Sequence, residues 1–179
     1  LFLAAMLIQL VFYLGSYTRL AFYRPQKQSR SRKGVSVIIC ARDEACRLEK
    51  SLPLLLTQDY PEYEVIVVND RSEDHTEELL LEMSHKYKNL RHTTLPANHF
   101  HGRRKKLALT LGMKSARFER ILLTDADCIP AGPKWLKLMT SHFGQGKDFV
   151  LGYGKYERRK GILNLLIRYE TVLTAIQYL

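Results

Sequence analysis

The chain has few cysteines, and they lack the spacings of disulfide frameworks and zinc knuckles. Its 179 residues include only Cys40, Cys46 and Cys128, an odd number with no CxxC pair. Disulfide scaffolds and structural zinc sites both depend on paired or closely spaced cysteines. The cysteine content therefore argues against both classes and is typical of a reducing compartment.

Two glycine-rich phosphate-binding motifs are also absent. A dinucleotide-binding fold places a GxGxxG turn after its first strand, whereas the corresponding turn here reads CARDEAC, residues 40–46. The Walker motif, GxxxxGK followed by Ser or Thr, is missing as well. These absences exclude the dinucleotide-binding and P-loop interpretations.

The chain carries a net charge of +10, but its cations are not arranged as a nucleic-acid surface. A linker over residues 24–34, rich in Pro, Ser and Gln, contains five of them: Arg24, Lys27, Arg30, Arg32 and Lys33. Aromatic side chains do not interleave with these cations, as a base-stacking platform requires. The linker therefore favours anionic lipid headgroups as a partner and predicts no nucleic acid.

Residues 1–23, which precede this linker, are mostly apolar. A membrane-spanning helix needs roughly 20 such residues, so the segment predicts a transmembrane helix. A signal peptide and a buried amphipathic helix are the alternatives; the first lacks a small-residue cleavage site and the second a polar face. The cations that follow place the next domain in the cytoplasm, tethered to the membrane by one N-terminal anchor.

Both ends of the chain suggest a longer protein. It begins with Leu1 and stops inside a helical pattern at Leu179. We therefore expect it to be a fragment, with room for more membrane helices downstream.

Over residues 35–151, short apolar runs alternate with helical patterns. The predicted strands are 35–40, 63–69, 89–95 and 120–126. The predicted helices lie near 44–56, 74–87, 104–117 and 133–143. The two strongest runs are rich in Val and Ile without alternation, as in strands covered on both faces. The pattern predicts an α/β domain with a mostly parallel sheet.

Ligands of such sheets bind beyond the carboxyl ends of the strands, so the residues that follow each strand are candidates for a site. The first strand leads into Ala41, Arg42 and Glu44, the second into Asp70 and Ser72, and the fourth into Asp125 and Asp127. Three strands therefore deliver carboxylates to the same edge.

Asp125 and Asp127 stand one residue apart and can share a divalent cation. Mg²⁺ prefers one or two carboxylates, several waters and the phosphates of a substrate. The basic run 103–106, which includes Lys105, comes just before a predicted helix, whose amino end also favours anions. Acids, bases and a Mg²⁺ or Mn²⁺ ion then suit one phosphate-bearing ligand.

Each of these residues also has a simpler structural explanation. Aspartates are common at strand ends and helix caps, and a DxD pair often arises by chance. Asp70 lies in a helix-start signature in which Ser72 or Asp74 can serve as the cap. Lys105 belongs to a cation run of the kind that decorates solvated faces. Their joint placement at one edge favours the ligand site.

Taken together, these motifs resemble the inverting family-2 glycosyltransferases of the GT-A fold. The similarity spans roughly residues 35–151 and includes the opening VSVIICARDEA, the QDYP turn at 58–61, the helix KKLALTLG and the DxD in LLTDADCIP. In this order and spacing the motifs are specific. The resemblance implies a Rossmann-like sheet that binds a nucleotide-diphosphate sugar.

The resemblance also implies roles for single residues. Ala41, Arg42 and Glu44 would border the base and ribose, and Asp70 would accept a hydrogen bond from a uracil. Lys105 would lie near the diphosphate, Asp125 near the ribose or sugar and beside the metal, and Asp127 on the metal. Ser72 is predicted to belong to the same nucleotide-sugar site.

The catalytic base that the resemblance implies is missing. An acceptor-side carboxylate is expected well after the DxD, but only Asp148, Glu157 and Glu170 follow it. Glu170 lies in an amphipathic helical pattern over 162–179, where a solvated or paired role is the better interpretation. We therefore expect the base beyond Leu179 and interpret residues 152–179 as the start of an acceptor-side region.

The leading hypothesis is a membrane-anchored, metal-dependent glycosyltransferase that uses a UDP-sugar and inverts the anomeric carbon. A glycan or a lipid is the expected acceptor, and the sequence does not choose between them. A non-catalytic, membrane-tethered nucleotide-binding module and a nucleotidyltransferase are the alternatives.

Overall fold

The computed structural model describes residues 1–22, 33–95, 104–143 and 148–177. The chain divides into two compact units. One combines Leu1–Gln28 with Phe149–Leu179, and the other is Ser29–Asp148. The predicted basic linker lies mostly outside the described residues, and so do Arg103 and its neighbours 96–102.

The second unit is built on a four-stranded parallel sheet. Its strands are β1 (Val35–Ala41), β2 (Tyr63–Asn69), β3 (Leu90–Thr94) and β4 (Arg120–Asp125), in the order β3-β2-β1-β4. Each described pairing is parallel, which confirms the predicted α/β sheet. Because β1 pairs with β2 on one side and β4 on the other, the chain reverses its direction of travel across the sheet beside β1. Such a reversal point is where open α/β sheets bind ligands.

Helices connect and follow the strands. The described helices are α1 (Phe2–Ala21), α2 (Ala45–Leu56), α3 (Thr76–Lys86), α4 (Arg104–Ser115), α5 (Trp135–Thr140) and α6 (Ile162–Gln177). The helix predicted over 133–143 is shorter than expected. Both its ends are capped by backbone hydrogen bonds at Trp135 and Ser141, which the sequence pattern does not reveal.

The core explains why β1 and β2 lack alternation. Ile38 and Ile66 are directly opposite each other in the register and are at most 1% exposed. Val37 and Val65 form the neighbouring pair, whose side chains lie on the other face and are equally buried. Both faces of these two strands are therefore covered, and burial of branched side chains drives the sheet to form.

Helix α4 approaches the sheet closely at Gly112. A Cβ atom at this position would lie 2.5 Å from Cγ2 of Ile38 and 3.2 Å from Cγ2 of Val68. Both of these side chains are fully buried and branched, so they have little room to move. Glycine at this position allows the helix that begins near Lys105 to lie directly on the sheet.

Gly112→Ala is accordingly expected to lower the free energy of unfolding by about 1–3 kcal/mol through overpacking, in spite of the better helix propensity of alanine. Denaturant unfolding of the sheet unit measures the change. Gly132→Ala is the matched control within the same unit, because a Cβ there would meet nothing within 4 Å. If Gly112→Ala unfolds at the same denaturant concentration as the control and the wild type, the packing at Gly112 tolerates a Cβ atom and the prediction is wrong.

The prediction of a transmembrane helix over residues 1–23 requires correction. Helix α1 is present, but no helix among the described residues is both long and apolar enough to cross a membrane. Gln9 and Thr18 lie within α1, and polar side chains lower the hydropathy of a helix. Membrane localisation stays a prediction.

The amphipathic helix predicted over 162–179 is present as α6. Residues 178–179 lie outside the described part of the chain. Helix α6 contacts α1 within their unit, and Leu165, Leu166 and Tyr169 are each more than half exposed. Glu170 is exposed, in agreement with the solvated role expected for it.

Candidate functional site

An open cavity of about 310 Å³ lies at the carboxyl ends of β1, β2 and β4. Its lining consists of Cys40, Ala41, Arg42, Glu44, Asp70, Lys105, Ala108, Asp125, Ala126 and Asp127. Seven of the eight residues predicted from the sequence to form the site are therefore brought to one place. The parallel register explains this, because Cys40 pairs with both Val68 and Asp125 and so aligns the three strand ends.

Ser72 is the predicted site residue that does not line the cavity. Its hydroxyl donates to Asn69 Oδ1 at 2.6 Å and accepts a hydrogen bond from the backbone N–H of Asp43 at 3.0 Å. These contacts tie Ser72 to the Asn69 side chain and to the backbone of the loop after β1. The structure therefore gives Ser72 a supporting position next to the cavity.

Lys105 and Asp125 form an ion pair at the edge of the cavity. The Lys105 ammonium donates to Asp125 Oδ1 at 2.8 Å, and both side chains are more than 60% exposed. The hydrogen bond to Asp125 raises the pKa of Lys105, so the lysine is positively charged at neutral pH. Exposed pairs of this kind contribute little to stability, so both groups can reorganise around a ligand.

Glu44 is paired with a residue that the sequence analysis missed. Arg47 Nη1 donates to both carboxylate oxygens of Glu44, at 2.7 and 2.6 Å, and this contact raises the pKa of Arg47. Arg47 stands three positions after Glu44, at the start of α2, a spacing at which side chains on a helix meet. This spacing is the sequence signal from which the Glu44–Arg47 pair could have been predicted.

Asp70 is the most buried carboxylate of the cavity, at 8% exposure. Its backbone N–H donates to the carbonyl of Ala41 at 2.8 Å, which links the ends of β1 and β2. The Arg71 guanidinium donates to Asp70 Oδ1 at 3.2 Å. Nε of the same arginine is buried and has no hydrogen-bond partner within the described structure.

Asp127 is exposed and lines the cavity together with Asp125. No group of three or more His, Cys, Asp or Glu side chains suited to a metal is present in the described ranges. Two carboxylates beside an open cavity fit Mg²⁺ or Mn²⁺ only if water and ligand phosphates complete the coordination. The residues present are therefore compatible with a metal that arrives together with a phosphate ligand.

Cys40 also lines the cavity, but it is not suited to be a nucleophile. Burial raises the pKa of its thiol, and the neighbouring carboxylates of Asp125 and Asp70 act in the same direction, while Lys105 opposes them. The thiol is therefore protonated at neutral pH, and the thiolate is the reactive form. The chemistry of the site is that of carboxylates and cations.

Comparison with known proteins gives a consistent result. The family model described as glycosyl transferase family 2 matches residues 36–165. A poly-beta-1,6-N-acetyl-D-glucosamine synthase from Staphylococcus epidermidis is 32% identical over 97 residues, covering 54% of this chain and 22% of its own. The glycosyltransferase AglE from Haloferax volcanii is 34% identical over 121 residues, covering 66% of this chain and 38% of its own.

Solved structures share the fold. The mannosyltransferase PcManGT from Pyrobaculum calidifontis, solved in complex with GDP-Man and Mn²⁺, has a TM-score of 0.63 at 24% identity over 76% of this chain and 40% of its own. Residues 1–349 of S. aureus TarS give a TM-score of 0.51 at 28% identity over 58% of this chain and 30% of theirs. The first of these likenesses shows the fold alone, a Rossmann-like α/β fold with a parallel sheet.

The match to the family model extends over well more than half of the chain and includes every residue of the cavity lining. The chain spans between about a fifth and two fifths of the length of the two curated relatives described above. On this match, the chain belongs to glycosyl transferase family 2.

Proposed function

We propose that this chain is the donor-binding part of a metal-dependent glycosyltransferase that takes a sugar from a nucleotide-diphosphate donor, most simply a UDP-sugar. One observation carries the proposal: three carboxylates, Asp70, Asp125 and Asp127, share a single cavity with the Lys105 ammonium. A nucleotide-diphosphate sugar supplies the matching chemistry, which is a base with N–H donors, a dianionic diphosphate and a hydroxyl-rich sugar.

Relatives support the transferase class. The S. epidermidis protein is named as a synthase of a glucosamine polymer, and the H. volcanii protein is named as a glycosyltransferase. Both are more than 30% identical to this chain over at least 97 residues. A hexosyl group as the transferred unit is the simplest extension to this chain.

Different side chains of the cavity bind different parts of the donor. Asp70, held at the bottom of the cavity by the Ala41 carbonyl, accepts a hydrogen bond from the base. Arg42 and Glu44 border the base and ribose. Lys105 turns from Asp125 to the diphosphate, and this leaves the Asp125 carboxylate free to accept hydrogen bonds from ribose or sugar hydroxyls.

Asp127, with Asp125 beside it, would hold Mg²⁺ or Mn²⁺. A divalent cation bound there supplies positive charge next to the diphosphate leaving group. Lys105 adds a second positive charge in the same cavity. By holding that cation, the two aspartates would place positive charge where negative charge develops on the leaving diphosphate.

Inversion requires a base that deprotonates the acceptor hydroxyl as it attacks the anomeric carbon in a single displacement. The described lining of the cavity contains no carboxylate from the chain after Asp127. We propose that the base lies beyond Leu179 and that the acceptor, a glycan or a lipid, approaches the open side of the cavity. The same observation favours a nucleotide-binding module without chemistry as the second candidate.

Calorimetric titration of the full-length protein with UDP and GDP, each with and without Mn²⁺, tests the proposed site. Binding of one nucleotide that depends on Mn²⁺ is expected, and Lys105→Ala should weaken it by roughly tenfold because a charge-assisted contact to the diphosphate is lost. Lys114→Ala is the matched control on the same helix, since Lys114 is exposed and lies outside the cavity lining.

Two results would count against the site: no binding of either nucleotide, or equal effects of the two lysine substitutions. Release of sugar from a UDP- or GDP-sugar by the same protein then separates the two candidates. A transferase hydrolyses or transfers the sugar, whereas a binding module leaves the donor intact.

A further inference from the structure

The loops that carry the cavity residues are joined by a hydrogen-bonded clamp centred on Asp43. This residue stands between Arg42 and Glu44 in the loop after β1 but does not itself line the cavity. Its backbone N–H donates to Ser72 Oγ at 3.0 Å, and its carboxylate Oδ1 accepts from the backbone N–H of Glu73 at 2.7 Å. One residue thus makes reciprocal contacts with the loop after β2.

Neighbouring hydrogen bonds extend the clamp in both directions. Ser72 is fixed by Asn69, whose Oδ1 accepts from both the backbone N–H and the hydroxyl of Ser72. On the other side, the backbone N–H of Glu44 donates to Thr76 Oγ1 at 3.2 Å. The two loops are therefore connected through the side chains of Asp43, Ser72 and Thr76, which reduces their freedom to move independently.

Each of the two loops also contains a residue in the left-handed backbone region. Asp43 and Arg71, one in each loop, both have φ of 53° and are the two described non-glycine residues with positive φ. Aspartate tolerates this left-handed region better than most residues, and arginine does so less readily. Such conformations persist where surrounding contacts over-determine them, and they concentrate near functional sites.

The second carboxylate oxygen of Asp43 lies near a cavity residue. Oδ2 is 3.7 Å from Nε of Arg42, and the two side chains are each nearly half exposed, so this pair by itself restrains Arg42 little. The stronger contact is that of Oδ1 with the backbone of the loop after β2. Asp70 is two residues before Ser72 in that loop and lines the cavity.

We propose that Asp43 is a positioning residue of the donor site: it sets Arg42 and Glu44 at a fixed distance from Asp70 without touching the donor. The inference rests on the proposed function, because it assumes that these three side chains bind the nucleotide. Preorganisation of this kind increases affinity by lowering the ordering cost that binding would otherwise carry.

Three variants of the full-length protein test the clamp. Asp43→Gly removes the carboxylate but accepts positive φ without strain, so it separates the lost contacts from backbone strain. Asp43→Asn keeps the oxygen that accepts from Glu73 and also tolerates positive φ. Glu73→Ala is the matched control: it removes a carboxylate from the partner loop after β2 but keeps the backbone N–H that Asp43 binds, and its own side chain is exposed.

Calorimetry with UDP or GDP and Mn²⁺ is expected to show about fivefold to tenfold weaker binding for Asp43→Gly, the effect of losing about one charged hydrogen bond. Asp43→Asn should recover most of the affinity, and Glu73→Ala should stay within about twofold of the wild type. Hydrogen exchange of the Glu73 amide should become faster in Asp43→Gly alone, because only that variant loses its acceptor.

Unchanged affinity in Asp43→Gly overturns the proposal, and so does an equal loss in all three variants, which would indicate a general charge effect. A wild-type protein that binds neither nucleotide is a different result. It overturns the proposed function and with it the donor role of Asp43, while the exchange rate of the Glu73 amide still reports whether the loops are clamped.

Discussion

Asp127→Ala is expected to abolish metal-dependent nucleotide binding and to lower sugar transfer by the full-length protein by about a hundredfold or more, since a catalytic metal contributes several kcal/mol to transition-state stabilisation. The carboxylate is exposed in the cavity lining, and Asp125 is the nearest acid along the chain. Because only these two aspartates are proposed to hold the metal, loss of one would not be compensated by other protein ligands.

Titration of the variant with the preferred nucleotide in the presence and absence of Mn²⁺ measures the first effect, and donor turnover measures the second. Asp59→Ala is the control, because Asp59 is exposed and lies outside the cavity lining. Mn²⁺-dependent affinity that survives in Asp127→Ala but not in Asp125→Ala would assign the metal to Asp125 and contradict the role proposed for Asp127.

The second large effect concerns stability. Glu64→Gln is expected to lower the free energy of unfolding by about 2–3 kcal/mol, because it disrupts a buried charged group with several donors. Glu64 is 3% exposed; its Oε1 accepts from Ser36 Oγ at 2.7 Å and from the Arg117 backbone at 2.6 Å, and its Oε2 from Arg91 at 3.1 Å. These contacts join β1, β2 and β3 to the segment before β4.

Urea unfolding monitored by circular dichroism gives the measurement. Glu62→Gln provides the matched control, since Glu62 is exposed and lies just before the same strand. If the two substitutions change the unfolding midpoint equally, the buried network at Glu64 does not stabilise the sheet as described.

The same residue predicts a pH dependence. Burial by itself would raise the pKa of Glu64, but the hydrogen bonds from Arg117, Ser36 and Arg91 outweigh burial and hold the pKa below its ordinary value. A carboxylate with a lowered pKa in the folded state stabilises the protein above its unfolded pKa, near 4.3. The stability difference between wild type and Glu64→Gln should therefore be full at neutral pH and shrink as the pH falls through this region toward the folded pKa.

The local pattern of apolar residues was enough to predict the strands of the sheet. The run at 63–69 is β2 itself, and the run at 35–40 differs from β1 by one residue, because unbroken Val and Ile segments have few alternatives to a covered strand. The candidate site followed from the same pattern, since parallel strands deliver their carboxyl ends to one edge. Ser72 was predicted to be a site residue from its position in the sequence alone. In the structure its hydroxyl contacts Asn69 and the backbone of Asp43 in the loops beside the cavity.

The predictions that failed depended on the tertiary environment of a segment or a side chain. The apolar segment at 1–23 indicated a helix correctly but not a membrane-spanning one among the described residues. Arg47 was missed because its role depends on the Glu44 carboxylate that it meets on the first turn of α2. A pattern reports periodicity and polarity, and neither quantity identifies the partner of an individual side chain.

The sequence by itself determined the alternation of strands and helices, the family, and the set of residues that gather at the carboxyl edge. Only the tertiary structure decided the strand order β3-β2-β1-β4, the Lys105–Asp125 pair and the contacts of Asp43 with Ser72 and Glu73. The reason is physical. Local preferences act over a few neighbouring residues, whereas these contacts join positions 20 to 30 residues apart and exist only after the sheet has brought its strand ends together.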